Sequence, residues 1–306
     1  MYCIIEYEYS LFKKIIRRSM AMLEKAFAKI NLGLDIVGKR SDGYHEVNMV
    51  MQSIALADEI EFLPAEEIIV TTDNPDIPDG KDNLAWKAAM LLAKKCCHKP
   101  NVQIHIRKRI FSAAGLAGGS ADAAAVLRGL NRYWQLGLSA EELEVLAAEL
   151  GSDVPFCVRG GTAAATGRGE ILEPLADMPE TWLVLAKPKV SVSTAWAYQN
   201  FRSEDVVARP DITAMKKAID NSDRLGIITC MGNVLESVTA KVYSEINDIK
   251  EAMMANGAAI SLMSGSGPTV FCFVDSEADG KHIAAVLSKQ FTIDIELTKT
   301  LRRNDL

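Results

Sequence analysis

The stretch Ala113–Ala125 reads AAGLAGGSADAAA and joins a strand pattern to a helix pattern. Before it, Val102, Ile104 and Ile106 alternate with polar residues, as in a strand, and after it residues 120–134 have helical spacing. A helix N-terminus offers unpaired N–H groups with partial positive charge, and glycines let the backbone approach an anion closely. The stretch is therefore typical of a phosphate-binding loop. A tight strand–helix turn that needs small residues for packing would explain the same spacing.

The loop matches neither of the two common nucleotide fingerprints, since it contains no GxxxxGK[ST] and no GxGxxG pattern. A second glycine-rich segment, Ser264–Pro268 (SGSGP), joins two apolar stretches near the other end of the chain. By itself this segment indicates a hairpin turn as readily as a ligand loop. Two such loops, one in each half of the chain, favour a ligand site between the halves.

The composition is that of a globular protein. The chain has 306 residues, enough for two domains, with 49% hydrophobic and 24% charged residues. Its net charge of −6 argues against nucleic-acid binding, which depends on Lys and Arg, and no apolar run approaches the roughly 18 residues of a membrane span. Cys96, Cys97 and His98 could suggest a metal, but adjacent cysteines cannot easily face one ion. Reduced thiols in a cytoplasmic protein are expected instead.

Strand and helix patterns are mixed along both halves, which predicts an α+β protein. Residues 25–36 read as a strand, and residues 47–62 read as further strand with a break at residues 55–58. Ser139 and Glu142 form a capping-box pattern, which predicts the start of another helix.

A shift in composition at residues 172–179, which contain two prolines, predicts a domain boundary. It divides the chain into an N-terminal domain over residues 25–174 and a C-terminal domain over residues 175–306. Just before the boundary, residues 159–170 (RGGTAAATGRGE) are strand-like and punctuated by glycines. Residues 1–24 are expected to be an extension that the fold does not require.

Three further sites hold chemically useful side chains whose local pattern favours a structural role. Asp153, in Gly151–Pro155 (GSDVP), stands where a helix N-cap is natural, because proline often occupies the first helical turn. Lys29 is a charge within an otherwise apolar strand, for which solvation on the outer face is the ordinary interpretation. Tyr44 and His45 follow a turn glycine and could be solvated, or could stack on a ring and hydrogen-bond to it.

Taken together, these segments resemble the GHMP kinase family, in the family's order over about residues 25–300. The segments that carry the resemblance are Ala28–Leu34 (AKINLGL), Gly38–His45 (GKRSDGYH), Asp82–Leu84 (DNL), Ala114–Ser120 (AGLAGGS), Leu150–Pro155 (LGSDVP) and Ser264–Pro268 (SGSGP). The resemblance implies a two-domain fold, with an N-terminal domain like domain 2 of ribosomal protein S5 and a ferredoxin-like C-terminal domain.

The resemblance also implies roles that the local patterns do not. Asp153 would accept the proton of the substrate hydroxyl as it attacks the γ-phosphate of ATP. Lys29 would keep that carboxylate ionised and offset charge on the transferring phosphoryl group. The substrate would be bound by Asn31 near the reacting end and by Tyr44, His45 and Tyr198 around a cytosine ring.

For the nucleotide, the resemblance implies ATP together with Mg²⁺, whose ligands the sequence does not identify. The residues that would bind ATP are Asn83, Lys108, Ala114, Gly115, Leu116, Ala117, Gly118, Gly119 and Ser120. Asn83 and Lys108 fall where the family meets adenosine. Phe111–Ser112 departs from the family, which usually has a proline just before the glycine loop, so the adenine side is the least defined part of the expected site.

The activity that the resemblance implies is ATP-dependent phosphorylation of the 2-hydroxyl of a cytidine diphosphate derivative of methylerythritol. Another small-molecule GHMP kinase, of the mevalonate or homoserine type, is the nearest alternative, and Asp42–His45 (DGYH) argues against it because those kinases hold no cytosine. A non-catalytic RNA-binding module is an alternative of another class. The charge of −6 and the pairing expected for Lys29 and Asp153 argue against that module.

Overall fold

The computed structural model describes residues 21–305, which form two β-sheets with helices packed on them. Within the described part of the chain, the first sheet has seven strands in the order β3-β4-β2-β1-β8, with β5 beside β2 and β6 beside β5. Its strands are β1 (Met22–Lys39), β2 (His45–Pro64), β3 (Ile69–Thr72), β4 (Val102–Arg107), β5 (Thr162–Thr166), β6 (Ile171–Pro174) and β8 (Gly232–Asn233).

The second sheet has four antiparallel strands among the described residues, in the order β11-β7-β10-β9. These are β7 (Trp182–Pro188), β9 (Ile260–Met263), β10 (Val270–Val274) and β11 (Ile293–Lys299). The helices are α1 (Leu84–Lys95), α2 (Gly118–Tyr133), α3 (Ala140–Ala148), α4 (Val154–Arg159), α5 (Thr194–Asn200), α6 (Ile212–Asp220), α7 (Arg224–Cys230), α8 (Glu236–Val242), α9 (Glu245–Ala255) and α10 (Glu277–Gln290). The mixture of helices and sheets confirms the predicted α+β class.

Strand β1 is buried on both faces, and this determines where its polar residues lie. Ala28 and Ile30 belong to the core between the first sheet and its helices. Lys29 and Asn31 alternate with them, so they face the opposite side of the sheet, and both are nevertheless buried. The expected solvation of Lys29 on an outer face is therefore wrong.

Helix α2 packs closely on the first sheet, and its first turns are rich in small residues. Ala121 and Ala123–Ala125 are all buried there. Farther along, a Cβ atom on Gly129 would lie 2.4 Å from the ring of Phe62 on β2, so only glycine lets the helix approach the strand this closely. This packing fixes the N-terminus of α2, and with it the end of the glycine-rich loop.

The predicted start of helix α3 is confirmed, while the predicted break in strand β2 is wrong. The capping box of Ser139 and Glu142 is present at the start of α3, as predicted. Strand β2 runs without a break through residues 55–58. Its first half pairs with β5 and its second half with β4, so the interruption expected there corresponds to a change of partner.

The predicted boundary at residue 174 remains a prediction, because the chain returns to the first sheet after it. Strand β8 pairs in parallel with Gly33 and Leu34 of β1. Residues of α6 and α7, such as Ile212 and Ile227, are buried in the same core as Ile30. Among the helices that the structure describes, none is long and apolar enough to cross a membrane.

Removal of residues 1–21 should leave both folding stability and turnover unchanged. Residues 1–20 of the expected extension lie outside the described part of the chain, and β1 already begins at Met22. A chain that starts at Met22 therefore retains every described strand and helix. The measurement is the melting temperature and kcat of the two chains side by side. A large fall in melting temperature would show that the removed segment packs on the fold.

Candidate active site

A cavity of about 920 Å³ lies where the two glycine-rich loops meet. Its wall includes all but one of the residues that the sequence assigned to the site. These are Lys29, Asn31, Tyr44, His45, Asn83, Lys108, Ala114, Gly115, Ala117, Gly118, Gly119, Ser120, Asp153 and Tyr198. The exception is Leu116, whose side chain is buried in the core and whose carbonyl oxygen accepts a hydrogen bond from the Lys29 main-chain N–H at 3.2 Å.

The first glycine-rich loop opens on this cavity at the start of α2. The helix begins at Gly118, so the N–H groups of residues 118–120 have no acceptor within the helix and are free to meet an anion. A Cβ atom on Gly119 would meet no other atom of the described residues within 4 Å, so the backbone is open there. This arrangement supports phosphate binding over the alternative of a turn that merely packs closely.

The two glycine-rich loops touch each other. Ser264 Oγ donates a hydrogen bond to the Gly115 carbonyl oxygen at 3.0 Å. Gly115 has φ +76°, and a Cβ atom there would lie 2.1 Å from the Ser264 carbonyl oxygen. The second loop is held from below by Asn233, whose amide nitrogen donates to the carbonyl oxygens of Met263 and Gly265 at 2.8 and 2.7 Å. The two loops are thus in direct contact at the cavity wall.

Lys29 and Asp153 are brought together beside this contact. Lys29 Nζ lies 3.9 Å from Asp153 Oδ2 and donates a hydrogen bond to Asn31 Oδ1 at 2.6 Å. The Lys29 side chain is 5% exposed and that of Asp153 is 34% exposed. A buried ammonium needs a compensating charge, and Asp153 and the Asn31 amide supply charge and hydrogen bonding. The carboxylate keeps an open side toward the cavity.

Asp153 occupies the N-cap position of α4 but does not act as a cap. Its backbone has helical angles, φ −84° and ψ −13°, and its side chain makes no capping hydrogen bond. The carboxylate is therefore available to the cavity, which removes the capping interpretation favoured by the local sequence.

Arg128 of α2 ties the helix that carries Asp153 to the strand that carries Lys29. Its guanidinium donates to the Cys157 carbonyl oxygen at the end of α4 at 2.5 Å, and to the Lys25 carbonyl oxygen on β1 at 3.0 Å. Glu24 accepts a third hydrogen bond, at 3.0 Å. Burial lowers the pKa of Arg128 to about 10, so the group stays charged at neutral pH.

Lys108 lies in a buried cluster with two aspartates. Its Nζ donates to Asp58 Oδ2 at 2.5 Å and to Asp122 Oδ2 at 2.7 Å. Burial acts to lower the pKa of Lys108, but the two carboxylates outweigh it and raise the pKa. Burial raises the pKa of Asp122 to about 7; Lys108 opposes this shift and Asp58 adds to it. Two of the three ammonium hydrogens of Lys108 are thus already committed to protein partners.

Asn83 also has structural bonds at the cavity wall. Its Oδ1 accepts from the Ala85 N–H at 2.9 Å and caps α1, and its amide nitrogen donates to the Pro78 carbonyl oxygen at 2.9 Å. One amide hydrogen remains for a ligand. Phe111 and Ser112, which depart from the family pattern, line the same cavity.

Elsewhere on the cavity wall, His45 lies against Tyr198, and Tyr44 lies against Arg168. The rings of His45 and Tyr198 have centroids 5.6 Å apart and are tilted by 35°. Tyr44 is 54% exposed, and the guanidinium carbon of Arg168 lies 5.0 Å from its ring centroid. Burial lowers the pKa of His45, and Lys39 adds to this effect. Burial, reinforced by Asp153, raises the pKa of Tyr198, so both groups are neutral at pH 7.

The sequence reasoning missed several residues of the cavity wall. Arg168 lies within the strand-like, glycine-punctuated stretch, and Asp122 lies within the loop quoted first, yet neither was singled out. Thr194 Oγ1 and Ser266 Oγ are 3.0 Å apart, which links α5, the helix of Tyr198, to the second loop. Charge was the available signal for Arg168 and Asp122, whereas the contact between Thr194 and Ser266 depends on residues far apart in the chain.

Both halves of the chain match models of a known protein family, and the chain has relatives of known name. Residues 83–161 match the family model for the GHMP kinases N terminal domain, and residues 204–293 match the model for the GHMP kinases C terminal domain. A relative from Geobacillus thermodenitrificans (strain NG80-2), named 4-diphosphocytidyl-2-C-methyl-D-erythritol kinase, is 54% identical over 262 residues, which are 85% of this chain and 90% of the relative. A relative of the same name from Bacillus pumilus (strain SAFR-032) is 52% identical over 266 residues, covering 86% and 92%.

Solved structures agree with these matches. A crystal structure of 4-(cytidine 5'-diphospho)-2C-methyl-D-erythritol kinase superposes with a TM-score of 0.78 at 32% identity, covering 91% of this chain and 99% of that one. Homoserine kinase from Cytophaga hutchinsonii has a TM-score of 0.74 at 16% identity, covering 92% and 95%, and shows a shared fold only. Family models on both halves of the chain and relatives more than half identical lead to one conclusion: this chain belongs to the GHMP kinase family and has that family's two-domain fold of mixed helices and sheets.

Proposed function

We propose that this chain transfers the γ-phosphoryl group of ATP to the 2-hydroxyl of 4-diphosphocytidyl-2-C-methyl-D-erythritol. The observation that carries the chemistry is the pair of Lys29 and Asp153 beside the contact of the two glycine-rich loops. The observation that carries the substrate is the identity of 54% and 52% to relatives named for this reaction. ATP is the phosphoryl donor that membership of the kinase family implies.

In the proposed reaction, Asp153 accepts the proton of the 2-hydroxyl as its oxygen forms a bond to the γ-phosphorus. The bond from that phosphorus to the bridging oxygen breaks, and ADP leaves with the electron pair. Lys29, whose Nζ lies 3.9 Å from Asp153 Oδ2, offsets negative charge on the transferring group. Asn31, which accepts a hydrogen bond from Lys29, holds the ammonium in place and lies next to the reacting end of the substrate.

The phosphates of ATP fit the free N–H groups at the start of α2, where the glycines let them approach. The predicted ATP residues Ala114–Ser120 supply this cradle, and the remaining amide hydrogen of Asn83 and the stem of Lys108 lie at the adenosine side. Because Lys108 is already bonded to Asp58 and Asp122, we assign it to shaping the wall rather than to neutralising phosphate.

Magnesium fits this site as an ion carried by the nucleotide. Among residues 21–305, no group of three or more His, Cys, Asp or Glu side chains is placed to hold a metal alone. Mg²⁺ needs only one or two protein ligands when phosphates and water provide the others, and it neutralises charge on the phosphates when bound. Asp122 Oδ1 is buried and has no hydrogen-bond partner within residues 21–305, so Asp122, with the hydroxyl of Ser120, would hold the ion.

The competing functions differ in substrate. Mevalonate and homoserine carry no base, so a kinase for either would not need the aromatic end of the cavity formed by Tyr44, His45 and Tyr198. An RNA-binding module would need basic surface, whereas the chain has a net charge of −6.

One assay tests the proposal directly. ADP release is measured with 4-diphosphocytidyl-2-C-methyl-D-erythritol, mevalonate and homoserine, each against a blank without substrate. We expect rapid release only with the cytidine compound. Equal or faster release with either of the other two would overturn the proposed substrate, and retention of RNA on a filter without any ADP release would favour the binding module.

Base recognition should divide between stacking and hydrogen bonding. Stacking on aromatic rings is worth about 1–3 kcal/mol per base and does not depend on which base is bound. Tyr198→Ala should therefore weaken the binding of the cytidine and uridine substrates to the same extent. His45 can distinguish the base edge through a ring nitrogen or its main chain, so His45→Ala should narrow the preference for cytidine. The measurement is the ratio of kcat/KM for the cytidine and uridine substrates.

The opposite result would contradict this division of roles. If Tyr198→Ala abolished the preference while His45→Ala kept it, the two assignments would be exchanged. If neither variant changed kcat/KM, the cytosine would bind elsewhere.

A further inference from the structure

We propose that Arg168 is a positioning residue of the pyrimidine site, holding the ring of Tyr44 from one face so that the other face is ready to stack on the base. The inference rests on the proposed function, because it takes Tyr44 as a contact of the cytosine. It adds a residue that the motifs of the site do not include.

The ring of Tyr44 needs external support. It is 54% exposed and follows the turn of the hairpin between β1 and β2, where the Tyr44 N–H bonds to Asp42 Oδ1 at 3.1 Å. This bond fixes the backbone but not the ring. An exposed side chain that must be ordered on binding loses rotamer freedom, and this loss weakens affinity unless the ring is already held.

Arg168 is placed to hold it. Its guanidinium carbon lies 5.0 Å from the centroid of the Tyr44 ring, within the roughly 6 Å over which a cation is attracted to an aromatic face. The planar guanidinium can cover one face of a ring, which leaves the other face for a base. Arg168 and Tyr44 both line the cavity described above.

Arg168 is itself held by its own turn between β5 and β6. Its main-chain N–H donates to Glu170 Oε2 at 2.6 Å, and its Nε donates to Glu170 Oε1 at 3.4 Å. The neighbouring Gly167 and Gly169 have φ of +72° and +111°, conformations that permit this tight turn. Glu170 therefore orients the guanidinium through these two hydrogen bonds.

The turn is also joined to the hairpin that carries Tyr44. Glu46 Oε1 accepts from the Gly167 N–H at 2.9 Å, while its Oε2 accepts from Arg40 at 2.7 Å. The Val47 N–H donates to the Gly167 carbonyl oxygen at 2.9 Å. Because these bonds lock the two turns together, Arg168 and Tyr44 form one preorganised unit rather than two independent exposed side chains.

A second possible role for Arg168 predicts a different effect of its removal on substrate binding. A cation at this end of the cavity could bind the diphosphate of the substrate directly. In that case its removal would weaken binding whether or not Tyr44 is present. If Arg168 acts through the ring, its removal matters only while the ring is there.

The test is a double-mutant cycle with the full chain. Arg168→Leu should raise KM for the cytidine substrate roughly threefold to tenfold, an effect in the range of a cation–π contact plus ring ordering. The kcat and the KM for ATP should stay within about twofold of the values for the unchanged chain, because Arg168 is assigned neither to the reacting groups nor to the ATP site. In the Tyr44→Ala background, the same Arg168→Leu change should add less than about twofold, since its partner is gone.

Arg107→Leu is the matched control, because Arg107 is a surface arginine on β4 that pairs with Glu59 and Glu61 away from the cavity wall. It should leave all kinetic constants unchanged. If Arg168→Leu lowers the melting temperature, Arg168→Gln replaces it, since glutamine keeps a hydrogen-bond donor for Glu170 but carries no charge.

Two results would overturn the inference. One is an unchanged KM for the cytidine substrate in Arg168→Leu or Arg168→Gln. The other is an increase of the same size in the Tyr44→Ala background, which would assign Arg168 to direct substrate contact. Failure of the unmodified chain to phosphorylate the cytidine compound would instead refute the proposed function, so the two failures are distinguishable.

Discussion

Asp153→Asn should lower kcat by roughly 10²–10⁴, the usual contribution of a general base, while the chain stays folded and binds ATP. The carboxylate makes no capping bond at the start of α4, so the amide should not disturb that helix. Lys29 loses its carboxylate partner at 3.9 Å but keeps the hydrogen bond to Asn31 at 2.6 Å, which limits the cost of a buried ammonium. The measurements are kcat, KM for ATP and melting temperature.

The matched control is Asp248→Asn, which removes an exposed carboxylate from α9 and should have no effect on turnover. Near-normal turnover in Asp153→Asn would contradict the assignment of the base. A large loss of melting temperature with a proportionate loss of activity would instead return Asp153 to a structural role.

The combined replacement of Lys29 and Asp153 should have a non-additive effect on kcat. If Lys29 and Asp153 act as a unit, the double variant Lys29→Met with Asp153→Asn should be about as slow as the slower single variant. Losses that multiply would show that the two groups act independently. The non-additive result is expected because both groups act on the same phosphoryl-transfer step, so that loss of either one already disables the step and loss of the second removes little more.

The local sequence was a reliable guide where structure depends on neighbouring residues. The capping box at Ser139, the strand before the first glycine-rich loop and the helix after it all follow from spacing and short-range hydrogen bonding. These patterns, with the two loops, were enough to predict the α+β class and a cavity between the halves.

The chemistry of the site could not be read in the same way, because it depends on contacts between distant parts of the chain. Lys29 reads locally as a solvated charge, whereas in the fold it is buried, with a hydrogen bond to Asn31 and an opposite charge from Asp153, more than a hundred residues away. Asp153 reads locally as a cap, and only the folded backbone, with its helical angles and no capping hydrogen bond from the side chain, shows that it is not one. For both residues, the resemblance to the family provided the interpretation that spacing did not.

The cluster of Lys108 with Asp58 and Asp122 illustrates the same limit. Asp58 lies at the break that the sequence predicted in β2, and nothing in the local pattern indicated that its carboxylate belongs to a buried ion pair. Its carboxylate also accepts from the Ile110 N–H at 2.8 Å, at the entrance to the glycine-rich loop. A residue assigned to ATP from its position is thus held mainly by the protein itself, and this could be learned only from the folded chain.

Gly115→Ala should disable the enzyme and weaken the fold, because the added methyl group has no space. Its carbon would lie 2.1 Å from the Ser264 carbonyl oxygen and 3.1 Å from the Gly267 main-chain nitrogen, both of them backbone atoms that cannot rotate away. The φ of +76° adds strain of about 1–2 kcal/mol for any residue with a Cβ atom. Overpacking of this kind typically costs a further 1–3 kcal/mol or so, so we expect a total loss of about 2–5 kcal/mol in the free energy of unfolding.

The effect on turnover should exceed the effect on stability. Relief of the clash requires the two glycine-rich loops to separate, and the Lys29 N–H is bonded to Leu116, the next residue along the first loop. Movement of the loop therefore displaces the phosphate cradle relative to Lys29 and Asp153, and a misplacement of about 1 Å can cost roughly 10²-fold in rate. We expect kcat/KM for ATP to fall by at least about that factor.

Gly119→Ala distinguishes the effect of the clash between the loops from the effect of a methyl group in the phosphate cradle. Within the part of the chain that the structure describes, a methyl group there would meet no atom within 4 Å, so the melting temperature should not change. The methyl group would nevertheless intrude on the bound phosphates and raise KM for ATP. Gly115→Ala should differ by losing stability in the absence of any ligand, as measured by urea unfolding of the free protein. If Gly115→Ala unfolded at the same urea concentration as the unchanged chain, the two glycine-rich loops would not be in contact in solution.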